Sequence, residues 1–121
     1  MRDFKKLKIW QRSHQLALDV YKSTKNFPKS EQYGLMSQMR RSAVSIPSNI
    51  AEGCGKEGQA EFARYLRIAM GSASELEYQL ILSHDLKYLP GESFHALEDE
   101  VTQLKKMLVV FTKKIANSQK P

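Results

Sequence analysis

The chain has 121 residues, of which 41% are hydrophobic and 26% are charged, and its net charge is +6. This length and composition are typical of a single globular domain with a buried core. No apolar run approaches the roughly 20 residues that span a membrane, and the first ten residues lack the apolar segment of a signal peptide. A single cysteine excludes an intrachain disulfide and a cysteine-rich zinc site. We therefore expect a cytoplasmic protein without a membrane partner.

The first predicted helix runs from about Lys8 to Asn26. It ends there because Pro28 disfavours helical backbone at Phe27, and Ser30 is predicted to cap the second helix. The residues predicted on the inward side of the first helix are Trp10, Leu16, Ala17, Val20 and Tyr21.

The second predicted helix contains the segment RRSAVSIPSNIAEG, residues 40–53, with Pro47 in its interior. An interior proline costs roughly 3 kcal/mol, so we expect a kink near Ser45, whose hydroxyl would bond a freed carbonyl. Gly53 is predicted to end the helix as its cap. The inward stripes of this helix are Leu35, Met39, Ser42, Ile46 and Asn49, and beside them Met36, Ala43 and Ile50.

Small residues predict a close contact between the second and third helices. Glu75 of the third helix is expected to pair with Arg40 or Arg41 across it. The glycine-rich residues 53–58 between the helices predict a loop or an anion site, because backbone N–H groups at a helix start favour anions. The small residues expected in the contact are Ser42, Ala43, Ser45 and Ser48, opposite Ala69, Gly71, Ser72 and Ala73.

The third and fourth helices have the clearest periodicity, and a turn at residues 89–91 separates them. The third spans residues 59–87, with the inward residues Phe62, Leu66, Ala69, Ala73, Leu76, Leu80 and Ser83. The fourth, of about 25 residues, has the heptad Phe94, Leu97, Val101, Leu104, Leu108, Phe111 and Ile115. The pattern predicts an all-α helical bundle in which residues 1–121 form one domain.

Several short motifs occur together along the chain. They are Trp10-Gln11, Phe27-Pro28, Tyr33-Gly34-Leu35, residues 38–42 (QMRRS), residues 45–53 (SIPSNIAEG), residues 68–72 (IAMGS) and Glu75-Leu76. In combination they resemble the bacterial four helix bundle protein family, which includes proteins encoded in intervening sequences of 23S rRNA genes. The resemblance implies an antiparallel up-down-up-down four-helix bundle and a ring-shaped homopentamer.

The same resemblance extends to the accessory variability determinant of diversity-generating retroelements, a basic pentamer that works with a reverse transcriptase and nucleic acid. The family usually has an arginine shortly after Ala-Glu-Gly, where this chain offers only Lys56. It has no established catalytic residues to carry over.

Side chains suited to catalysis or metal binding are sparse. His14, His84 and His95 are far apart in sequence. The Glu-x-x-His unit at Glu92 and His95 occurs once, whereas di-iron bundles use two such units with two further glutamates. Cys54 lies in a glycine-rich loop with no identifiable base. We therefore expect no enzyme activity, no catalytic residue, no metal and no cofactor.

Apolar residues outside the inward stripes predict a subunit contact; they are Leu18, Val109 and Val110. The large aromatic residues follow helical spacing, which favours a core or interface position over base stacking. These residues are Trp10, Tyr21, Phe62, Tyr65 and Phe94.

Charge is distributed unevenly along the chain. Residues 1–29 carry eight Lys/Arg and two Asp/Glu, a charge of +6. Residues 30–100 carry six Lys/Arg and eleven Asp/Glu, a charge of −5. Residues 101–121 carry five lysines and no acid, a charge of +5. Basic chain ends around an acidic middle indicate a polyanionic partner, or else a solvated surface with uneven charge.

Two function classes remain. In the up-down-up-down topology both basic ends of the chain meet, so one hypothesis is a nucleic-acid-binding protein that contacts RNA or DNA phosphates without reading bases. The other is an oligomeric scaffold for a protein partner with an acidic surface. The predicted nucleic-acid-binding residues are Lys5, Lys6, Lys8, Arg12, Lys113 and Lys114, and Arg2 and Lys120 are expected near them.

Overall fold

The computed structural model describes residues 2–118, which form an antiparallel up-down-up-down four-helix bundle. The helices are α1 (Lys8–Thr24), α2 (Leu35–Cys54), α3 (Gln59–Asp85) and α4 (Gly91–Asn117). Short 3-10 helices at Phe4–Lys6 and Lys29–Glu31 precede α1 and α2. Each α-helix packs on the next along the chain, and α1 also packs on α4. The predicted fold class is confirmed.

No helix in the described part of the chain combines the length and apolarity that crossing a membrane requires.

The core follows the stripes predicted for α3 and α4. All seven inward residues of α3, from Phe62 to Ser83, are buried. Six of the seven on α4 are also buried, and Phe111 is half-buried with its ring against Phe62. Fully burying a Phe, Leu or Val side chain stabilises a fold by about 1.5–3 kcal/mol, so the large residues of both stripes contribute substantially to the stability of the bundle.

On α1 the prediction is partly wrong. Leu16, Ala17 and Val20 are buried and Trp10 is half-buried, but Tyr21 is exposed. The helix ends at Thr24, whose Oγ1 donates to the carbonyl oxygen of Val20 at 2.8 Å.

The start of α2 differs from the prediction that Ser30 caps it. Ser30 lies in the short 3-10 helix, and Glu31 does the capping: its Oε1 accepts a hydrogen bond from the Leu35 N–H at 3.0 Å. Its Oε2 accepts from the Tyr88 hydroxyl at 3.2 Å, and this bond raises the pKa of Tyr88. One carboxylate thus joins the start of α2 to the α3–α4 turn.

The helix α2 continues through Pro47 without interruption. The prediction that the Ser45 hydroxyl bonds a freed carbonyl is wrong. The hydroxyl lies instead 2.8 Å from the Ser72 hydroxyl on α3. Asn49 Nδ2 donates to Ser45 Oγ at 3.0 Å and to the Ser45 carbonyl oxygen at 2.8 Å. Ser45, Asn49 and Ser72 thus form a small polar network beside the proline at the contact with α3.

Small residues do line the α2–α3 contact. Ser42 and Ala43 on α2 are buried there, as are Ala69 and Ala73 on α3. Ser48 and Gly71, which were predicted in the same contact, are exposed. The small face is narrower than the sequence pattern indicated.

Gly53 does not end α2. The helix continues to Cys54, with Gly55 at its cap. A Cβ atom at Gly53 would lie 2.9 Å from Phe62 Cδ1 and 2.9 Å from Tyr65 Cβ. Glycine is favoured here because side chains of α3 lie so close to the α2 backbone that a Cβ atom would force Phe62 and Tyr65 to shift.

Candidate nucleic-acid interface

Both described ends of the chain lie at the same end of the bundle, which we call the terminal end. Gln59 at the start of α3 donates through Nε2 to Ser118 Oγ after α4, at 3.0 Å. The Arg2 guanidinium lies over the Phe62 ring, 4.2 Å from its centroid. The folded topology therefore brings the two basic segments together as expected. Lys120, expected there too, lies outside the described residues.

A groove of about 510 Å³ runs between the start of α1 and the last turns of α4. Its floor is apolar and its cations are lysines, with no Asp or Glu among the lining residues. We call it the lysine groove. The residues that define it are Lys8, Lys106, Lys114, Met107, Val110 and Phe111. It unites two of the predicted phosphate contacts, Lys8 and Lys114, and adds Lys106, which sequence reasoning had missed.

Arg12, also predicted in the interface, joins α1 to α4. Its Nη2 donates to Glu100 Oε1 at 2.6 Å and its Nη1 to Met107 Sδ at 3.4 Å. The side chains of Arg12 and Glu100 are 38% and 35% exposed, so the pair is partly solvated. The charge of Arg12 is already balanced by this carboxylate.

The other three predicted cations lie apart from the lysine groove. Lys5 and Lys6 are exposed in the first 3-10 helix, and Lys5 Nζ is 3.7 Å from Asp3 Oδ1. Lys113 lines a separate groove of about 290 Å³ with Arg67 of α3. The six predicted residues thus share one end of the bundle but do not form one cluster.

His84 and His95 lie around the α3–α4 turn, whereas His14 lies on α1 with its ring stacked on Trp10, centroids 5.0 Å apart. The His84 ring stacks on Phe94 with centroids 4.4 Å apart, and its Nδ1 lies 3.1 Å from the Leu89 carbonyl oxygen. The His95 ring lies 6.4 Å from that of His84. Within residues 2–118 no group of three or more His, Cys, Asp or Glu side chains is arranged to hold a metal ion.

Cys54 is buried at the end of α2, with 1% of its surface exposed. Burial raises the pKa of the Cys54 thiol, and the nearby Arg2 opposes this only in part. A protonated thiol is a weak nucleophile, so this environment suits packing rather than covalent chemistry.

In the glycine-rich loop, Gly58 lies just before α3 with φ +80°, a conformation that favours glycine. Lys56 directs its Nζ towards the Tyr65 ring, 5.6 Å from the centroid. The left-handed backbone at Gly58 explains why a glycine is needed in this loop. The alternative that the loop binds an anion stays a prediction.

Sequence reasoning missed a second basic surface at the opposite end of the bundle, between the end of α1 and the start of α2. The predicted pairing of Glu75 with Arg40 or Arg41 is wrong: Arg40 bonds to α1, and neither arginine forms an ion pair with Glu75 among the described residues. Tyr33 lies in the connecting segment, where helical periodicity gives no information. The available signal was an aromatic residue flanked by Lys25, Lys29, Arg40 and Arg41 within a short stretch of sequence.

Comparison with known proteins supports the resemblance drawn from the motifs. A family model described as 23S rRNA-intervening sequence protein matches residues 5–110. This chain is also similar to a Bacteroides thetaiotaomicron protein of unknown function from the S23 ribosomal protein family, whose crystal structure has been solved; the two sequences are 28% identical. The similarity covers 87% of this chain and 98% of that chain, with a TM-score of 0.78. No curated protein gives a match.

Proposed function

Because this chain belongs to the 23S rRNA-intervening sequence protein family, we propose that it is a non-catalytic, oligomeric bundle protein that binds nucleic acid through its terminal end. The observation that supports this most strongly is the lysine groove. Lys8, Lys106 and Lys114 share it, no acidic residue lines it, and none of the three forms an ion pair with a described residue. Uncompensated positive charge on one surface attracts a polyanion.

Binding at this surface is non-specific. A lysine ammonium is a flexible, hydrated point charge that contacts phosphate oxygens without the fixed geometry needed to read a base edge. Such binding releases condensed counterions, so its affinity falls steeply with salt, with a log–log slope of about −0.9 per neutralised phosphate on duplex DNA.

The oligomer is a ring-shaped homopentamer, as the family resemblance implies. Exposed aliphatic side chains outside the lysine groove support a subunit contact: Leu18 is 51% exposed and Val109 is 42% exposed. A ring repeats the lysine groove in every subunit. Linked weak sites raise the overall avidity for a long polyanion without any new contact.

A mobility-shift assay with RNA and with DNA, at low and at high salt, tests this function. The double variant Lys8→Glu, Lys114→Glu should flatten the salt dependence while helix content and oligomer mass stay unchanged. The matched control is Lys22→Glu, Lys87→Glu, which makes the same charge change outside the groove and should retain most of the slope. No binding at physiological salt, or equal slopes for the two double variants, would overturn the proposal.

One feature favours a second function, a scaffold for a protein partner. Met107, Val110 and Phe111 give the lysine groove an apolar floor, which fits the apolar face of an acidic amphipathic helix. In that case the groove variant Lys8→Glu, Lys114→Glu would leave nucleic-acid binding unchanged and weaken only the complex with an acidic helical peptide.

A further inference from the structure

A second open site lies between the end of α1 and the start of α2, opposite the terminal end. It is a cleft of about 660 Å³, which we call the tyrosine cleft. The residues that define it are Tyr21, Tyr33, Lys25, Lys29, Arg40 and Arg41. Along α1, Lys8 in the lysine groove and Tyr21 in the cleft are 13 residues apart, a distance of about 20 Å at 1.5 Å per residue. One compact ligand cannot occupy both.

The cleft carries four cations and no balancing carboxylate. Asp and Glu are absent from its lining, and none of the four cations forms an ion pair with a described residue. Arg40 is held in place by neutral acceptors: its Nε donates to Thr24 Oγ1 at 2.9 Å, and its Nη2 to the Tyr21 carbonyl oxygen at 3.1 Å. Its position is therefore fixed while its positive charge remains available to a ligand.

The aromatic rings distinguish this cleft from a merely basic surface. Tyr33 is 91% exposed, so nearly its whole ring is available to a ligand. The Tyr21 ring lies under Arg40, whose guanidinium carbon is 4.5 Å from the ring centroid. An exposed ring among cations is the combination by which proteins hold unpaired nucleotides, because bases stack on the ring while cations contact the phosphates.

We propose that the tyrosine cleft binds unpaired nucleotides of single-stranded nucleic acid. Tyr33 stacks on a base, while Arg40, Arg41 and the two lysines contact the flanking phosphates. An acidic peptide would satisfy the cations, but Asp and Glu side chains offer no aromatic face to stack on Tyr33, whereas every nucleotide base does, so the ring favours a nucleic acid. The proposal rests on the cleft alone and does not require that the lysine groove bind anything.

The test compares ligands that share phosphates but differ in their bases. The probe is a labelled single-stranded RNA of about 12 nucleotides, within the usual range of such sites, beside an abasic oligomer and a duplex of equal length. Stacking of one base predicts that the abasic oligomer binds about 5- to 150-fold more weakly. A surface that recognises charge alone predicts instead that the duplex, with its denser phosphates, binds best.

Substitution of Tyr33 locates the contact. Tyr33→Ala should weaken binding of the single strand by a similar factor and leave binding of the abasic oligomer unchanged, while Tyr33→Phe keeps the ring and the affinity. The matched control is Tyr78→Ala, which removes a tyrosine that is 61% exposed on α3 and should have no effect. A photoreactive uridine in the RNA should crosslink to Tyr33 in the wild-type protein.

Equal affinity for the abasic and natural strands, or equal effects of Tyr33→Ala and Tyr78→Ala, would overturn the proposal. A change in oligomer mass in Tyr33→Ala would also overturn it, since the ring would then belong to a subunit contact. If Lys8→Glu, Lys114→Glu abolishes binding of the single strand while Tyr33→Ala leaves its affinity unchanged, the lysine groove stands and the tyrosine cleft fails.

Discussion

Ser45 on α2 and Ser72 on α3 lie with their hydroxyl oxygens 2.8 Å apart, across the contact between the two helices. Side chains this short let the helix backbones approach closely. Ala43, Ala69 and Ala73 are fully buried in the same region, so there is little free volume beside the serines. Added atoms there must displace a helix.

The substitution Ala43→Leu should destabilise the protein by about 1–3 kcal/mol, because it adds three carbons to a filled contact. The matched control is Val44→Leu, at a neighbouring position that is 40% exposed, which should change stability by less than about 0.5 kcal/mol. Urea unfolding at one protein concentration measures both. Equal midpoints for Ala43→Leu and the wild type would show that the helices are not tightly packed.

A second prediction contrasts two glycines. Gly53→Ala should cost about 1–3 kcal/mol, since its Cβ would lie 2.9 Å from atoms of both Phe62 and Tyr65. Gly71→Ala should instead stabilise by about 0.4–1 kcal/mol, because nothing lies within 4 Å of its Cβ position and alanine is the better helix former. Thermal unfolding measures the change in stability of each variant relative to the wild type. A change of the same sign in both variants would contradict the packing around these two glycines.

A third prediction separates two cations of the terminal end that carry the same charge. If the lysine groove contacts phosphate, Lys8→Ala should reduce the salt slope of nucleic-acid binding by about 0.9. Arg12→Ala should leave the slope nearly unchanged, because its guanidinium is bonded to Glu100 at 2.6 Å. Titrations over a range of salt concentrations measure both slopes. A larger effect for Arg12→Ala would mean that the ion pair opens to receive phosphate.

The fourth prediction concerns the pH dependence of stability. Burial raises the pKa of Cys54 in the folded chain, so the unfolded chain loses this proton first as the pH rises. The stabilising contribution is therefore present below about pH 8.5, the ordinary value for a thiol, and is lost as the pH rises towards the higher folded value. Between about pH 8 and pH 10 the free energy of unfolding should fall more in the wild type than in Cys54→Ala. Parallel pH dependences would show that the thiol titrates normally.

The fifth prediction is the assembly. Light scattering coupled to size exclusion should give about five times the chain mass of 13.9 kDa. Val109→Glu should reduce this mass if its exposed side chain lies in the subunit contact, whereas Glu98→Gln on the same helix should not. A monomer at micromolar concentration would contradict the pentamer.

Most of the fold could be predicted because helix periodicity reports burial directly. The stripe from Phe62 to Ser83 was complete in the sequence, and so was the heptad of α4 apart from the half-buried Phe111. Errors arose at the helix ends and at polar contacts. Ser30 and Glu31 are both plausible caps, and the choice depends on where the chain turns. Whether Arg40 reaches Glu75 or Thr24 depends on how the helices are rotated against each other.

The candidate site could be predicted only in part, because the rotation of each helix about its axis decides which side chains lie together. That the basic ends meet follows from topology alone, and the structure agrees. Which lysines share a groove depends on rotation of α4: Lys114 lies on the α1 side with Lys106, whereas Lys113 lies on the α3 side. Tyr33 lies outside any helix, so its exposure required coordinates.

The connectivity of the bundle also has a kinetic consequence. Three of its four helix contacts join helices that are adjacent in sequence, and such local contacts favour folding on the microsecond to millisecond scale. The contact between α1 and α4 is different, since Arg12 and Glu100 are separated by 88 residues. Closing that long loop costs chain entropy that the hairpins do not incur. The seam that carries the lysine groove is therefore the last part of the molecule that we expect to form as the chain folds.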